Sequence, residues 1–336
     1  VIDAEQVWAH LDALAKPRRS LGRLEALAVR LAVIQQRRDP VTRPRRIVLF
    51  AGDHGVVADG VSAWPSEVTG LMVGTILAGR ATSSAFAATH DCDLRLVDVG
   101  GLAPLPEDAP AFFRDGRVAS GTKSLAHGPA MTVEQFDAAW AVGAEEADRA
   151  VAEGHRLLIA GEMGIGNTTP AACLTALLTG ASPEGATGPG AGAGDAMVAA
   201  KARIVAAAAA RAAALLDEDS RAAIAEVCGY EIAAMAGFFA RGAALGATLL
   251  LDGYVATAGA LIAERLAPGT AQAMIAGHRS AEPGHAAALD ALGLEPLLDW
   301  GMRLGEGTGA LVALPLVDAA AALLTGVARL GVGRED

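Results

Sequence analysis

Four short apolar segments constrain this chain more than any other feature. Each runs into a glycine-flanked polar residue, and each adjoins a long alanine-rich stretch. They are Ile47–Phe50 before Asp53-His54, Leu94–Val97 before Asp98, Leu157–Ala160 before Glu162, and Thr248–Leu251 before Asp252. A weaker fifth, Ala271–Ala276, ends at Gly277-His278. Apolar runs without alternation are buried on both faces, as strands of a parallel sheet are. Strands alternating with helical sequence predict an α/β fold with a doubly wound parallel sheet. Such sheets bind ligands beyond the carboxyl ends of their strands, where Asp53, His54, Asp98, Glu162, Asp252 and His278 all fall.

The N-terminal stretch repeats leucines at three- and four-residue steps from Leu11 to Leu31, and Pro17 interrupts them. This predicts two helices over 5–36, the second starting near Ser20. Another helix is expected over Asp195–Leu216. Hydrophobic residues supply 52% of the chain but aromatics only 4%, so the core should be tightly apposed backbone rather than large rings.

With 27 basic and 38 acidic residues the net charge is −11, which argues against a nucleic-acid partner. A small anion remains bindable through backbone amides. The arginines at 18, 19, 37, 38, 43, 45 and 46 read as a solvated surface. Cys92, Cys173 and Cys228 show no metal-ligand or disulfide spacing, which fits a reducing cytoplasm. Mean hydropathy is +0.36, yet most apolar runs carry a charge. The uncharged stretch Met163–Pro183 reads as a loop feeding a buried helix, so no membrane span is expected.

Two segments carry the chemistry. Gly161-Glu162-Met163-Gly164-Ile165-Gly166-Asn167-Thr168-Thr169-Pro170 joins a strand to a helix. Its glycines allow close approach of an anion to amides at a helix N-terminus. It lacks the Gly-Lys-Ser/Thr ending of a Walker loop. Lys201 could add a point charge for a phosphate; otherwise it is a solvated helix lysine. The second segment is Arg303-Leu304-Gly305-Glu306-Gly307-Thr308-Gly309. A carboxylate among glycines in apolar surroundings should have a raised pKa and suits a general base. The Gly180–Gly194 stretch is either a linker or a phosphate-facing loop. The His278–His285 segment reads as a polar loop, not a metal site.

Taken together, Leu11–Leu14 with Lys16-Pro17 and Ser20–Glu25, Ala51–Val56, Gly60–Ser62, Glu67–Thr69, Gly161–Thr169, Gly229–Ala234, Gly277–His285 and Gly301–Ala310 resemble the nicotinate-nucleotide:dimethylbenzimidazole phosphoribosyltransferase family over nearly the whole chain. The resemblance implies a Rossmann-like sheet in residues 41–295. It also implies a smaller helical domain from both chain ends, 1–40 and 296–336, and a homodimer. In the implied reaction an aromatic base attacks C1′ of nicotinate mononucleotide and expels nicotinate, with no metal or other cofactor. The family's base falls on Glu306 and its phosphate turn on Gly164, Gly166, Asn167 and Thr168, with Lys201 as charge partner. Met163 and Leu304 would wall the ring pocket. Glu162, Ile165, Gly305, Asp53, His54 and Ser62 complete the implied substrate site. Arg18, Arg19, Leu71 and Ser124 depart from the family pattern; Leu71 stands where glutamine is usual, in a segment framing the base pocket. The aromatic base is therefore left open. A pyrophosphate-donor phosphoribosyltransferase and a non-catalytic nucleotide-binding subunit are the alternatives.

Overall fold

A computed structural model describes residues 1–330 and contains one parallel sheet. Its strands are β1 (Arg45–Gly52), β2 (Cys92–Gly100), β3 (Phe113–Asp115), β4 (Leu157–Met163), β5 (Thr248–Leu251) and β6 (Met274–Ala276). Their spatial order is β3-β2-β1-β4-β5-β6, every neighbouring pair parallel. The order reverses between β1 and β4, so a crevice opens there at the carboxyl ends. The five strands expected from sequence are present. The short β3 escaped because Phe113–Asp115 has no apolar run, although Gly116 follows it.

All eight residues of β1 are buried. Val48 and Phe50 point to one face, packing with the helices Val133–Ala152, Thr168–Thr179, Tyr230–Ala244 and Tyr254–Leu266. Ile47, Leu49 and Ala51 point to the other, packing with helices from both chain ends, Ala4–Asp12, Arg23–Gln35 and Thr308–Gly326. The two layers explain why these strands read as continuously apolar. The scarcity of aromatics has a visible counterpart. Gly143 and Gly237 let the helices Val133–Ala152 and Tyr230–Ala244 touch backbone to backbone, and a Cβ at either would overlap the opposing main chain.

Three expectations need correction. Arg45 and Arg46 are buried rather than solvated, because they open the central strand β1. Arg45 pairs with Asp318 at 2.8 Å, and Arg46 reaches Asp93 and Glu153. Ser20 does not start the second helix. Gly22 is its N-cap, and Glu25 Oε1 takes the Leu21 amide at 3.0 Å and lies 3.1 Å from Lys16 Nζ. Finally, Met163–Pro183 does not stand alone as a long stretch of low charge. Glu67–Thr89 and Thr308–Gly326 are long and apolar enough for a membrane span. The first is broken into the helices Glu67–Leu77 and Thr82–Thr89, and the second packs against the sheet.

Candidate active site

A cleft of about 420 Å³ lies over the carboxyl ends of β4, β5 and β6. Glu162 and Met163 close β4 at its floor, Asp252 follows β5, and His278 follows β6. Gly164–Thr168 form one wall, Arg303–Glu306 another, and Ser62 with Trp64, Val68 and Met72 a third. Glu306 and the glycine-rich turn, far apart in sequence, therefore share one cavity.

Glu306 is 4% exposed and sits at φ +56°, between Gly305 at +89° and Gly307 at +71°. Three consecutive left-handed residues are unusual, and a non-glycine there costs about 1–2 kcal/mol. Asp252 offsets that cost. Its carboxylate accepts the amides of Gly307 at 3.1 Å, Gly309 at 2.8 Å and Ala310 at 3.2 Å. Hydrogen bonds to a charged acceptor are worth about 1.5–3 kcal/mol each. They also cap the helix Thr308–Gly326 with negative charge at its N-terminus. Gly161, within β4, admits the turn from below. A Cβ there would stand 2.5 Å from Gly307 N and 2.7 Å from the Glu306 carbonyl carbon.

Burial raises the Glu306 pKa, a Ser83 hydroxyl at 3.0 Å works against the rise, and the charge of Asp252 adds to it. Glu162 is pushed up to about 8 by burial, then by Asp252 and Glu231, although Asn167 donates to it. Burial works against the charge of Asp252 too, but His278, with Nε2 at 3.5 Å, and the surrounding amides outweigh it and lower its pKa. The cleft floor thus holds one firmly ionised acid and two acids that hold protons unusually well.

The other end is built differently. Asn167 is the N-cap of the helix Thr168–Thr179, but its side chain makes no cap bond because it is spent on Glu162. Thr169 and Ala171 donate their amides to the Gly166 carbonyl at 3.0 Å and the Asn167 carbonyl at 3.1 Å, and Pro170 has none, so the Thr168 amide is the first-turn donor left toward the cleft at the positive end of the helix. Lys201 does not line the cleft. It is buried behind the wall, donating to Thr168 Oγ1 at 2.6 Å and to the Gly188 carbonyl at 3.2 Å. Burial lowers its pKa to about 8, against the attraction of Glu282. Pro189–Ala191 line the cleft, so the Gly180–Gly194 stretch is a wall, not a linker. Its Gly190 peptide is held from both sides, the amide by Glu282 Oε1 at 2.9 Å and the carbonyl by Arg303 Nη1 at 2.6 Å.

Met163, Leu304, Ile165, Gly305 and Ser62 all line the cavity. Asp53 and His54 stand behind it. His54 lies 2.7 Å from Glu231 and backs onto Gly164, and Asp53 takes the Leu102 amide at 2.8 Å. Leu71 is 69% exposed and outside the cleft; its helical neighbours Val68 and Met72 frame the wall instead. Ser124 bonds Asp59 at 2.5 Å, away from the cleft, and Arg18 and Arg19 pair with Asp12. His285 is a neutral structural residue. Its ring accepts the Ser280 amide at 2.8 Å and meets Thr257 Oγ1 at 2.8 Å, and burial drops its pKa to about 3.

Sequence reasoning placed Asp252 and His278 at ligand-facing strand ends and Arg303 in the Glu306 segment without giving them a role, and it left Glu282, Trp64 and Ser83 out of the site. Strand-end position signalled the first two, and adjacency to Glu306 signalled Arg303. Nothing local marks Ser83 or Trp64, which arrive by tertiary packing.

A family model described as phosphoribosyltransferase matches residues 3–332. The chain is 48% identical over 321 residues to the nicotinate-nucleotide–dimethylbenzimidazole phosphoribosyltransferase of Thermus thermophilus, covering 95% of this chain and 94% of that protein. It is 48% identical over 317 residues to the enzyme of the same name from Solidesulfovibrio magneticus, covering 93% and 88%. The crystal structure of CobT from Thermus thermophilus superposes with a TM-score of 0.91 at 48% identity, covering 96% of this chain and 95% of that one.

Proposed function

Since the chain belongs to the nicotinate-nucleotide–dimethylbenzimidazole phosphoribosyltransferase family, we propose that its cleft is where phosphoribosyl transfer takes place. The enzyme transfers the phosphoribosyl group of nicotinate mononucleotide to dimethylbenzimidazole or a related aromatic base, in assembly of the cobalamin lower ligand. The observation that carries the reading is the sharing of one cavity by Glu306 and the uncapped helix end.

In our reading the phosphate sits on the Gly164–Thr168 turn, taking the Gly166 and Thr168 amides, since the Ile165 amide donates to Thr69 Oγ1 and the Asn167 amide to the Gly164 carbonyl, with Lys201 acting from behind through Thr168. The aromatic base lies against Met163, Leu304 and the Val68–Met72 wall. Its unprotonated nitrogen attacks C1′ while the C1′–nitrogen bond to nicotinate breaks. The bonding pair neutralises the pyridinium nitrogen as nicotinate leaves. Glu306 accepts the proton from the second ring nitrogen of the base, preventing a cation from accumulating on the product. A carboxylate with a raised pKa is better matched to that proton than an ordinary one. Apolar lining gives shape more than hydrogen bonds, so a panel of similar rings should be discriminated only weakly. We further read the chain-end helices as the small domain, with the enzyme working as a cytoplasmic homodimer. Three buried free cysteines accord with a reducing compartment.

Glu306→Gln tests the reading. Nicotinate mononucleotide binding should persist while turnover with dimethylbenzimidazole falls by roughly two to four orders of magnitude. Near-wild-type turnover would remove Glu306 from the mechanism. The wild-type rate should rise with pH along a limb above the ordinary carboxylate range, because burial and Asp252 hold the Glu306 proton on.

A further inference from the structure

We infer that Asp252 is a positioning residue for the reaction: its carboxylate holds the left-handed turn that aims Glu306 into the cleft. The inference rests on Glu306 being the base. Its warrant is geometric. Asp252 is 2% exposed and binds the amides of Gly307, Gly309 and Ala310, which immediately follow Glu306. Within the turn, Thr308 bonds the Gly305 carbonyl through its amide at 3.1 Å and its hydroxyl at 2.7 Å, but Glu306 itself lies at φ +56°, which those bonds leave to be offset from outside. No side chain caps the helix at its own N-cap, Gly307. Asp252 comes from much earlier in the chain, at the end of β5, so the sheet sets the place of the base. His278, after β6, backs the carboxylate with Nε2 3.5 Å from Oδ1, and its ring occupies the space a Gly309 side chain would need.

Glu306 has these titratable groups around it: Glu162 at the end of β4, Asp252 after β5, and His278 behind Asp252. Ser83, on the helix Thr82–Thr89, bonds Glu306 but does not titrate. Removing the charge of Asp252 therefore has a readout in pH. A neutral residue there must make Glu306 more acidic; a turn loosened into solvent would shift it the same way, so the charge-retaining glutamate and the split between kcat and nucleotide KM separate positioning from lost order.

The experiment compares Asp252→Asn, Asp252→Glu and Glu306→Gln with the wild type, using nicotinate mononucleotide and dimethylbenzimidazole. Asparagine turns a donor toward one of the three amides. Its kcat should fall about a hundredfold, the usual cost of a misplacement near one ångström, with little change in nucleotide KM. Its acid limb should move to lower pH. Glutamate keeps the charge but pushes the carboxylate out by a methylene, so kcat should fall comparably with the limb unmoved. An unmoved limb in folded Asp252→Asn overturns the proposal, and so does near-wild-type kcat in either Asp252 variant. Should the asparagine protein not fold, the glutamate variant alone decides, by its kcat. Full activity in Glu306→Gln would instead sink the base assignment. An inactive Glu306→Gln beside a normal Asp252→Asn would sink only the role of Asp252.

Discussion

In one wall of the cleft Glu306 is held by backbone that few side chains tolerate, whereas in another the helix Thr168–Thr179 begins in ordinary helical geometry with the Thr168 amide left over. The acidic end depends on close approach: Gly161 beneath the turn, Gly309 against His278, and Asp252 tied to three amides. The proposed anion end depends on what has been withheld, a cap side chain diverted to Glu162, and on a lysine placed behind the wall. Damage to the first should therefore appear in the chemical step, and damage to the second in affinity.

Gly161→Ala should give the larger effect. The new methyl would meet main-chain atoms of the Glu306 turn at 2.5 and 2.7 Å, and backbone cannot rotate away as a side chain can. We expect kcat to fall by about a hundredfold or more, with nucleotide affinity altered less. Steady-state kinetics with both substrates would check it, and the contrast breaks if KM for the nucleotide carries the loss. Lys201→Met should do the reverse. It removes the ammonium that holds Thr168 at 2.6 Å, so nicotinate mononucleotide should bind roughly tenfold more weakly, near the lower bound for a charged hydrogen bond. An unchanged titration isotherm would show that the lysine serves packing alone.

The two ends also differed in how far the sequence disclosed them. Gly164, Gly166, Asn167 and Thr168 were legible as an anion turn because a strand, glycines and a helix start are local and contiguous. Glu306 was legible because a carboxylate among glycines is rare. What stayed hidden was partnership. Asp252 was seen as a strand-end acid, but its bonds to residues far along the chain depend on strand order. Lys201 was placed by charge alone, and packing of the helix Asp195–Ala213 put it behind the wall. β1 was clear from its apolar run, while Arg45 and Arg46 looked solvated because their partners Asp318, Asp93 and Glu153 are distant in sequence. The resemblance to a known family supplied the reaction; the local pattern alone stopped at anion binding and a general base.

A third test sharpens the contrast through pH. Glu162 has a folded pKa near 8 against an ordinary 4.5, so the folded state holds its proton more tightly than the unfolded state. Stability from this group is fully present below the unfolded value and is lost as pH rises through about 8. Glu162→Gln should therefore melt with a smaller decline between those two pH values than the wild type. Lys201, lowered to about 8, works with the opposite sign: stability should rise with pH between there and its ordinary 10.5. Thermal melts across this range would separate the two. Equal slopes in wild type and Glu162→Gln would mean that the acid does not hold its proton in the fold.

The smallest effect is expected where family pattern and geometry part. Leu71 stands where glutamine is usual, yet it is 69% exposed and does not line the cleft. Its helix presents Val68 and Met72 to the cavity, so position 71 faces outward from that wall. Leu71→Gln should then change stability by no more than about 0.5 kcal/mol, as surface substitutions usually do. It should also leave the ranking of benzimidazoles, purines and phenols as acceptors unaltered. Competition assays between paired bases would read that ranking directly. A changed order would require position 71 to reach the base, and the wall would then have to include a face of this helix that the isolated chain turns to solvent.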